Sequence, residues 1–477
     1  MFDKKESLDE EKKCSIDVGC GDIGPATALE EDNDFEIFKN TKDGVNFRTV
    51  GWPRASVIFL KVIFATGVLS IPTAMYSLGA VGGALSVVGW GLLNTYTAVI
   101  QGDFRNNHAG CHTVADMAGV VGGSVSGKFG LAMKELAGFL YLAAYVLCTG
   151  SGILGVSIGL NALSHHAACT VWWSFIATVA VATTASVRTF HNIGWLTWAG
   201  FASIFTAVFI VVKSSTADQS FSIGVTTRSR PAAAPPTGNF ELGFYAIAYP
   251  MFAAGITAST NIFVSFAGTS AFLPVIAEMK KPQDFRKALY SCMGFVTISY
   301  MTFSLVVYRW CGQWVASPSL GSAGQTIKMV SYGIGLVGLI VSACLYDHVA
   351  AKYLFVRILR NSRHLQSNTV THWVTWLGCT FGLAAVSFIL AEAIPIFSYL
   401  LALTGSICFS PLAMMLPGWL WLYDHSEWRK GSLSQMAVYW LHWSLILLGA
   451  FFFVGGTYGV VELINQAYAD GLIGERP

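Results

Sequence analysis

The chain has 477 residues, of which 54% are hydrophobic and only 12% are charged, and its formal net charge is +2. Soluble domains carry about 25% charged residues, so most of this surface must face something other than water. The composition excludes an ordinary soluble enzyme and gives no sign of nucleic-acid binding, and it indicates a lipid bilayer as the main partner.

The acidic residues are concentrated at the N-terminus. Residues 1–50 hold 13 of the 27 acids, together with few apolar side chains. Such a segment cannot bury enough apolar surface to fold alone, so we expect residues 1–50 to form a disordered, solvated tail.

Eleven segments are apolar enough to cross a membrane. A helix needs about 20 mostly apolar residues to span roughly 30 Å of hydrocarbon, and the candidates are 53–77, 81–101, 132–161, 170–187, 193–213, 244–277, 288–308, 325–347, 371–392, 394–422 and 436–458. Lys and Arg cluster in the loops on the side of the N-terminal tail, so the positive-inside rule places that tail in the cytosol. An odd span number then places the C-terminus outside the cell.

Two of the predicted spans interrupt their own helices. In span one, Gly67, Ser70 and Pro72 fall within two turns, and all three residue types disfavour a helix interior. The sixth segment is longer than one crossing requires, and 265–270 at its centre is small and polar, with Pro274 beyond it. Two half-helices joined by an unwound stretch would explain both segments.

The two breaks occupy equivalent positions if the chain contains two halves of five spans each. Matched broken helices are the best sequence sign of an inverted-repeat transporter with a binding site at the midplane. Half-helix N-termini bind carboxylates and freed carbonyl groups bind cations, and an amino acid carries both kinds of group. We therefore predict an all-α polytopic membrane protein with a five-plus-five inverted repeat of LeuT-like type and one extra helix. The expected parts are the tail 1–50, a first repeat 51–214, a second repeat 240–423, an eleventh span 434–458 and an extracellular tail 459–477.

The motifs at these breaks are similar to a known family. Leu60 to Pro72 resembles the first-span signature of the amino acid/auxin permeases, a Gly-x-Gly followed by Leu-x-x-Pro, and Phe263 to Leu289 resembles their sixth span and the loop after it. The likeness covers about 50–460 and is greatest to fungal neutral amino-acid (N-system) permeases, which implies import of aliphatic and aromatic amino acids at the plasma membrane. Ala65 replaces the first glycine of the signature, and Thr269 stands where the family often has histidine.

The resemblance implies a set of substrate-binding residues. Backbone groups of the first break would hold the substrate carboxylate and part of the ammonium, and the second break would complete the site, with Phe266 as an apolar wall or gate. Tyr145 is a further candidate for capping the pocket, although it could equally be an ordinary packed tyrosine. The implied residues are Ala65, Thr66, Gly67, Val68, Ser265, Phe266, Ala267, Gly268 and Tyr145.

Lys61 is the candidate for proton coupling. Charged groups inside a membrane are costly and are functional by default, and Lys61 lies one turn before the first break. It could replace a bound sodium ion as a fixed charge and exchange a proton, or it could extend to the inner membrane surface. Ser331 and Ser342 in span eight are residue types that could coordinate sodium, so sodium coupling remains an alternative to protons. Glu135, Asp347, His348 and Glu392 are expected at the membrane interfaces.

Other classes of function have less support in the sequence. The chain could be a receptor that senses amino acids without transporting them. A membrane-embedded enzyme would need a catalytic constellation, and neither a cofactor motif nor a cysteine- or histidine-rich metal site is evident. We therefore expect no enzyme activity, no cofactor and no metal centre.

Overall fold

The computed structural model describes residues 50–108, 110–187, 190–217, 241–360, 362, 364 and 369–471, although the side chains of 190–195 and 213–217 are not described. The predicted tail therefore lies outside the described residues apart from Val50. That residue forms a short parallel bridge with Met279, in which its amide donates to the Glu278 carbonyl at 3.1 Å.

The described part of the chain is almost entirely helical. Its helices are α1 Trp52–Ile63, α2 Ile71–Asn107, α3 Val114–Gly123, α4 Gly127–Leu163, α5 Thr170–Ala185, α6 Phe190–Ala217, α7 Phe252–Phe266, α8 Phe272–Ala277, α9 Phe285–Cys311, α10 Gln325–Leu359, α11 Val370–Ala393, α12 Phe397–Thr404, α13 Leu416–Asp424, α14 Leu433–Phe451 and α15 Thr457–Ala469. Within these residues, seven helical stretches are long and apolar enough to cross a membrane, or eight if the bent pair Phe397–Phe409 and Pro411–Asp424 is one span. The predicted spans that do not meet this test fall in α5, in Leu196–Val212, the part of α6 whose side chains are described, and in the broken helix before Gly79.

The helices pack into two groups. One group contains α1, α2, α7 and α9, and the other contains α4, α5, α10 and α11. Both broken segments belong to the first group, so the breaks lie where this group faces α4 and α10.

Two helix boundaries differ from the predictions. The sixth span begins at Phe252, not at 244, because proline cannot continue a helix and Pro250 precedes the start. The residues that precede Phe252 pass the bend that α2 makes at Gly79. There the amides of Ala80 and Val81 donate to the carbonyls of Tyr245 and Ala246 at 3.0 and 2.9 Å. At the other end, α15 continues to Ala469, so much of the predicted tail 459–477 is helical.

Two ionisable residues expected at a membrane interface are buried inside the protein. Asp347 and His348 in α10 are 1% and 0% exposed. The His348 ring lies 5.2 Å from Trp376 of α11, and its Nδ1 is 3.3 Å from the Ala185 carbonyl at the end of α5. In the sequence, Asp347 and His348 follow an apolar run, and this predicted that they would lie at the end of a span. In the structure, α5 and α11 pack over this turn of α10 and bury both residues.

Candidate functional site

A central cavity lies at the meeting point of the two broken helices. Its enclosed volume is about 20 Å³, and its walls come from both breaks and from α4, α10, α12 and the stretch after α12. The lining residues are Val62, Ile63, Thr66, Gly67, Tyr145, Cys148, Val264, Ser265, Gly268, Tyr346, Leu401 and Phe409.

The first break places a helix start beside this cavity, which Thr66 and Gly67 line. Helix α1 ends at Ile63, and a short 3₁₀ turn, Gly67–Leu69, precedes α2. The first hydrogen bonds of the turn come from the amides of Leu69 and Ser70. The amides of 66–68 come before those bonds, so they have no acceptor within the turn, which is the usual condition of a helix start. A helix start of this kind favours an anionic group such as a carboxylate.

The second break has the same construction. Helix α7 ends at Phe266, and the 3₁₀ turn Gly268–Ala271 leads into α8. The C-terminal carbonyl groups of α1 and α7 both end beside the cavity, and helix C-termini favour cations. The site therefore combines donors for an anion with acceptors for a cation.

Gly67 allows the two breaks to touch. A Cβ atom at Gly67 would lie 2.7 Å from the Ser265 Oγ atom and 2.9 Å from its Cα atom. Such contacts are far inside the normal separation of about 3.5–4.0 Å. The spacing of the two half-helix pairs thus depends on the missing side chain at Gly67.

Tyrosine hydroxyls contact both breaks, and two of them hold carbonyl groups that the breaks release. Tyr300 of α9 donates to the Ile63 carbonyl at 2.7 Å and lies 3.3 Å from that of Ser265. Tyr346 of α10 donates to the Val62 carbonyl at 3.3 Å. Tyr145 of α4 is 3.1 Å from the Ser270 hydroxyl. Tyr300 and Tyr346 were missed by the sequence analysis, because nothing in their own helices shows the direction in which their side chains point.

Five of the nine predicted substrate-binding residues line the cavity. Thr66, Gly67, Tyr145, Ser265 and Gly268 line it. The remaining four are buried behind its walls: Ala65, Val68, Phe266 and Ala267.

Phe266 does not form the aromatic wall expected of it. Its ring packs against Tyr300 at 5.1 Å and lies next to Gly91 of α2. The lining aromatic residues are instead Tyr145, Tyr346 and Phe409. The orientation follows from the break, because α7 ends at Phe266 and this last residue faces the helices behind it.

Lys61 is fully buried and points at α10. Its Nζ atom donates to the Ser342 hydroxyl at 2.8 Å and to the Gly338 carbonyl at 3.2 Å. Ser342 is one of the two serines considered for sodium binding, and the lysine ammonium contacts it. The side chain therefore does not extend to the membrane surface, and it links the first broken helix to the second helix group.

Charge is absent from the cavity wall. Among the lining residues that the structure describes, none is Asp, Glu, Lys, Arg or His. The walls offer hydroxyl groups, backbone dipoles and apolar side chains. They suit a ligand whose own charges balance and whose side chain is uncharged.

Two matched broken helices around a shared cavity are the arrangement of alternating-access membrane transporters. A family model described as "Transmembrane amino acid transporter protein" matches residues 48–462, and the chain belongs to that family. The predicted resemblance is thereby confirmed, and the chain is a member of a transporter family and not of an enzyme family.

Similar proteins agree with this assignment. A "Transmembrane transporter" of Gibberella moniliformis is 49% identical over 438 residues, covering 92% of this chain and 89% of that protein. An "N amino acid transport system protein" of Neurospora crassa is 27% identical over 430 residues, covering 90% and 87%. A solved structure of the inward-facing conformation of Mhp1 has a TM-score of 0.53 at 12% identity, covering 92% of this chain and 95% of that one. The predicted fold class, an all-α polytopic membrane protein of LeuT-like type, is confirmed.

Proposed function

We propose that the protein is a secondary active transporter that imports neutral aliphatic and aromatic amino acids by proton symport. The observation that carries this proposal is the uncharged central cavity between two helix breaks that present amide groups and carbonyl groups together. An α-carboxylate fits the helix start at 66–68, and an α-ammonium fits the carbonyl ends of α1 and α7.

The cavity wall supports neutral side chains as the preferred substrates. Val264, Leu401 and Phe409 provide apolar surface, and no lining side chain in the described structure would pair with a third charge on an acidic or basic substrate. An uncompensated charge in such a site would be strongly disfavoured. The N amino acid transport name of the Neurospora crassa relative is consistent with this preference.

Lys61 supports protons over sodium as the coupling ion. Its ammonium group contacts the Ser342 hydroxyl and the Gly338 carbonyl, two oxygen atoms of the kind that would coordinate Na⁺. A fixed ammonium there fills the space and provides the charge that a sodium ion would otherwise supply. Loss of its proton in one conformation would then couple proton release to the movement of α1 relative to α10.

The proposed membrane topology follows the sequence pattern. The N-terminus is cytosolic, the C-terminus is extracellular, and the protein resides in the plasma membrane. The first repeat is 51–214 and the second is 240–423, with one break in each.

Reconstituted uptake tests the proposal directly. Purified protein in liposomes should accumulate labelled leucine or phenylalanine when an inward proton gradient is imposed, and glutamate and lysine should compete poorly. A sodium gradient without a proton gradient should drive no accumulation. Saturable binding without accumulation would contradict transport and favour an amino-acid-sensing receptor, and sodium-driven accumulation would contradict the role given to Lys61.

The variant Lys61→Met isolates the coupling step, because methionine is of similar length and has no charge. We expect it to keep substrate exchange between the two sides of the membrane but to lose accumulation driven by the proton gradient. The matched control is Lys128→Met at an exposed lysine near the start of α4. Proton-driven accumulation by Lys61→Met at the wild-type level would show that Lys61 does not couple.

A further inference from the structure

Asp347 is a buried acidic residue that the proposed transport mechanism does not use. It lies in α10 and is 1% exposed. Neither oxygen atom of its carboxyl group has a hydrogen-bond partner among the described residues. Ionisable residues inside a membrane protein are costly and are functional by default, so the presence of this carboxyl group calls for a physical explanation.

The helices that cover Asp347 surround it with uncharged groups. Neither α5 nor the described side chains of α6 include a titratable residue. Helix α11 contributes the Cys379 thiol, which interacts electrostatically with Asp347, as does the Cys344 thiol of α10 itself. His372 of α11 is directed elsewhere, with its Nδ1 atom 2.9 Å from the His364 carbonyl.

The basic residues that follow Asp347 in α10 contact other groups. The His348 Nδ1 atom lies 3.3 Å from the Ala185 carbonyl at the end of α5. The Lys352 ammonium group lies 3.4 Å from the Glu278 carboxylate. Since the described surroundings provide no lysine or arginine partner for Asp347, burial strongly disfavours its ionised form.

The helices on the other sides of α10 also direct their ionisable groups elsewhere. The Lys61 ammonium of α1 donates to the Ser342 hydroxyl at 2.8 Å, five positions before Asp347. Titratable side chains of α4 face other residues of α10, in the pairs Tyr145 with Tyr346, Tyr141 with Tyr353 and Glu135 with Arg357. The carboxyl group is therefore a site separate from Lys61.

The end of α5 lies between this turn of α10 and the protein surface. Helix α5 ends at Ala185, whose carbonyl contacts His348, and Val187 two positions later is 42% exposed. Arg188, the next residue in the sequence, lies outside the described residues. In the proposed topology this surface is cytosolic, so a small movement of α5 would bring cytosolic water to Asp347.

We propose that Asp347 is a second proton-binding site, which holds a proton while α5 and α11 cover it and releases that proton to the cytosol when they move away. One O–H bond breaks, the proton passes to cytosolic water, and the same bond forms again when the helices close. Because only the hydrated conformation accommodates the carboxylate, a more alkaline cytosol favours separation of α10 from α5 and α11. The side of release rests on the proposed function, whereas the binding of a proton does not.

Infrared spectroscopy of the purified protein near neutral pH tests whether Asp347 carries a proton. A neutral carboxyl group has a C=O stretching band that an ionised carboxylate lacks. The wild-type spectrum should contain this band, and Asp347→Asn should lose it. Asp347→Leu, which suits an apolar site, provides the same comparison if the asparagine variant does not fold.

The matched control is Asp284→Asn, at an aspartate whose carboxylate lies 2.9 Å from the Lys287 ammonium. This variant should lose carboxylate bands and keep the band of the neutral carboxyl group. Loss of carboxylate bands in Asp347→Asn would show that Asp347 is ionised and paired, with Arg188 or another group, and would overturn the proposal.

The Cys344 thiol reports whether the site opens. It is fully buried beside Asp347, so a maleimide can reach it only when α10 separates from its neighbours. We would measure its labelling rate over a pH series by peptide mass spectrometry, in wild type and in Asp347→Asn. Because the thiol ionises in both proteins, the ratio of the two rates isolates the effect of Asp347. This ratio should rise with pH by up to about tenfold per pH unit, the limit for release of one proton.

Cys292 in α9 is the internal control, because it is equally buried but lies in a different helix group. Its ratio of labelling rates should not change with pH. A ratio at Cys344 that is also independent of pH would overturn proton release from Asp347. Neither measurement uses a substrate or a proton gradient, so a negative result here leaves the uptake experiments on Lys61 unaffected, and a failure of proton-driven uptake leaves this site standing.

Discussion

Replacement of Gly67 by alanine tests whether the contact between the two breaks controls transport. The added Cβ atom would lie 2.7 Å from the Ser265 Oγ atom and 2.9 Å from its Cα and Cβ atoms. Since carbon atoms normally approach to about 3.5 Å, one half-helix must move by roughly 0.6 Å. The Ser265 backbone cannot turn away as a flexible side chain can, so the movement separates the two breaks.

The expected loss follows from the cost of overpacking. An extra methyl group in a well-packed interior costs about 1–3 kcal/mol, which corresponds to roughly 5-fold to 150-fold in an equilibrium constant. Because the proposed substrate binds beside this contact, we expect this loss in kcat/KM for uptake. The measurement is the initial uptake rate of labelled leucine over a concentration series, normalised to the amount of protein at the cell surface.

Two further variants make the test specific. Gly382→Ala in α11 is the matched control, since its Cβ atom would meet nothing within 4 Å. Adding Ser265→Gly to Gly67→Ala removes the Oγ and Cβ contacts and should restore part of the lost uptake. Normal uptake by Gly67→Ala, with normal surface amounts, would refute the role given to this close approach.

Three other predictions follow from contacts around the site. Tyr300→Phe removes the hydroxyl that donates to the Ile63 carbonyl and should reduce uptake kcat/KM about tenfold, the cost of an unpaired buried acceptor; Tyr290→Phe, at an exposed tyrosine of the same helix, should not. Glu278→Gln weakens the ion pair that joins the end of α8 to Lys352 of α10 at 3.4 Å, so we expect faster cysteine labelling of the central cavity from the cytosolic side, and an unchanged labelling rate would contradict a gating role. Gly79→Ala places a side chain at φ +77° and 2.6 Å from the Ala248 amide, and it should lower the unfolding temperature of the purified protein more than Gly89→Ala, whose Cβ atom would meet nothing.

The positions of the breaks could be predicted from the sequence, because the residues that disfavour a helix there act locally. Gly67 and Pro72 in span one, and the small polar run 265–270 in span six, disfavour a helix whatever surrounds them. The structure has its 3₁₀ turns at Gly67–Leu69 and Gly268–Ala271. The start of the sixth span could also have been placed correctly, since Pro250 is visible in the sequence and should have outweighed the apolar residues before it.

The side chains that contact the breaks could not be predicted from the sequence, because they come from distant parts of the chain. Tyr300 and Tyr346 reach carbonyl groups more than 230 positions away, and their own helices give no sign of the direction in which they point. The π-helical turns Gly405–Phe409 and Pro411–Met415, which supply Phe409 to the cavity, likewise lack a periodic signal. Hydrophobic periodicity is weak in helices that are apolar on every face.

Lys61 shows how one long-range contact decides between two interpretations of a residue. Depth in the membrane could not separate a lysine that extends to the surface from one that is held inside, because a long side chain can do either. The hydrogen bond to Ser342, 281 positions along the chain, excludes the first possibility. It also joins two observations that were separate in the sequence: a lysine before the first break and a serine suited to sodium in span eight. Since both occupy one place between α1 and α10, the ammonium and a sodium ion are mutually exclusive there, and this exclusion is the physical basis for preferring protons as the coupling ion.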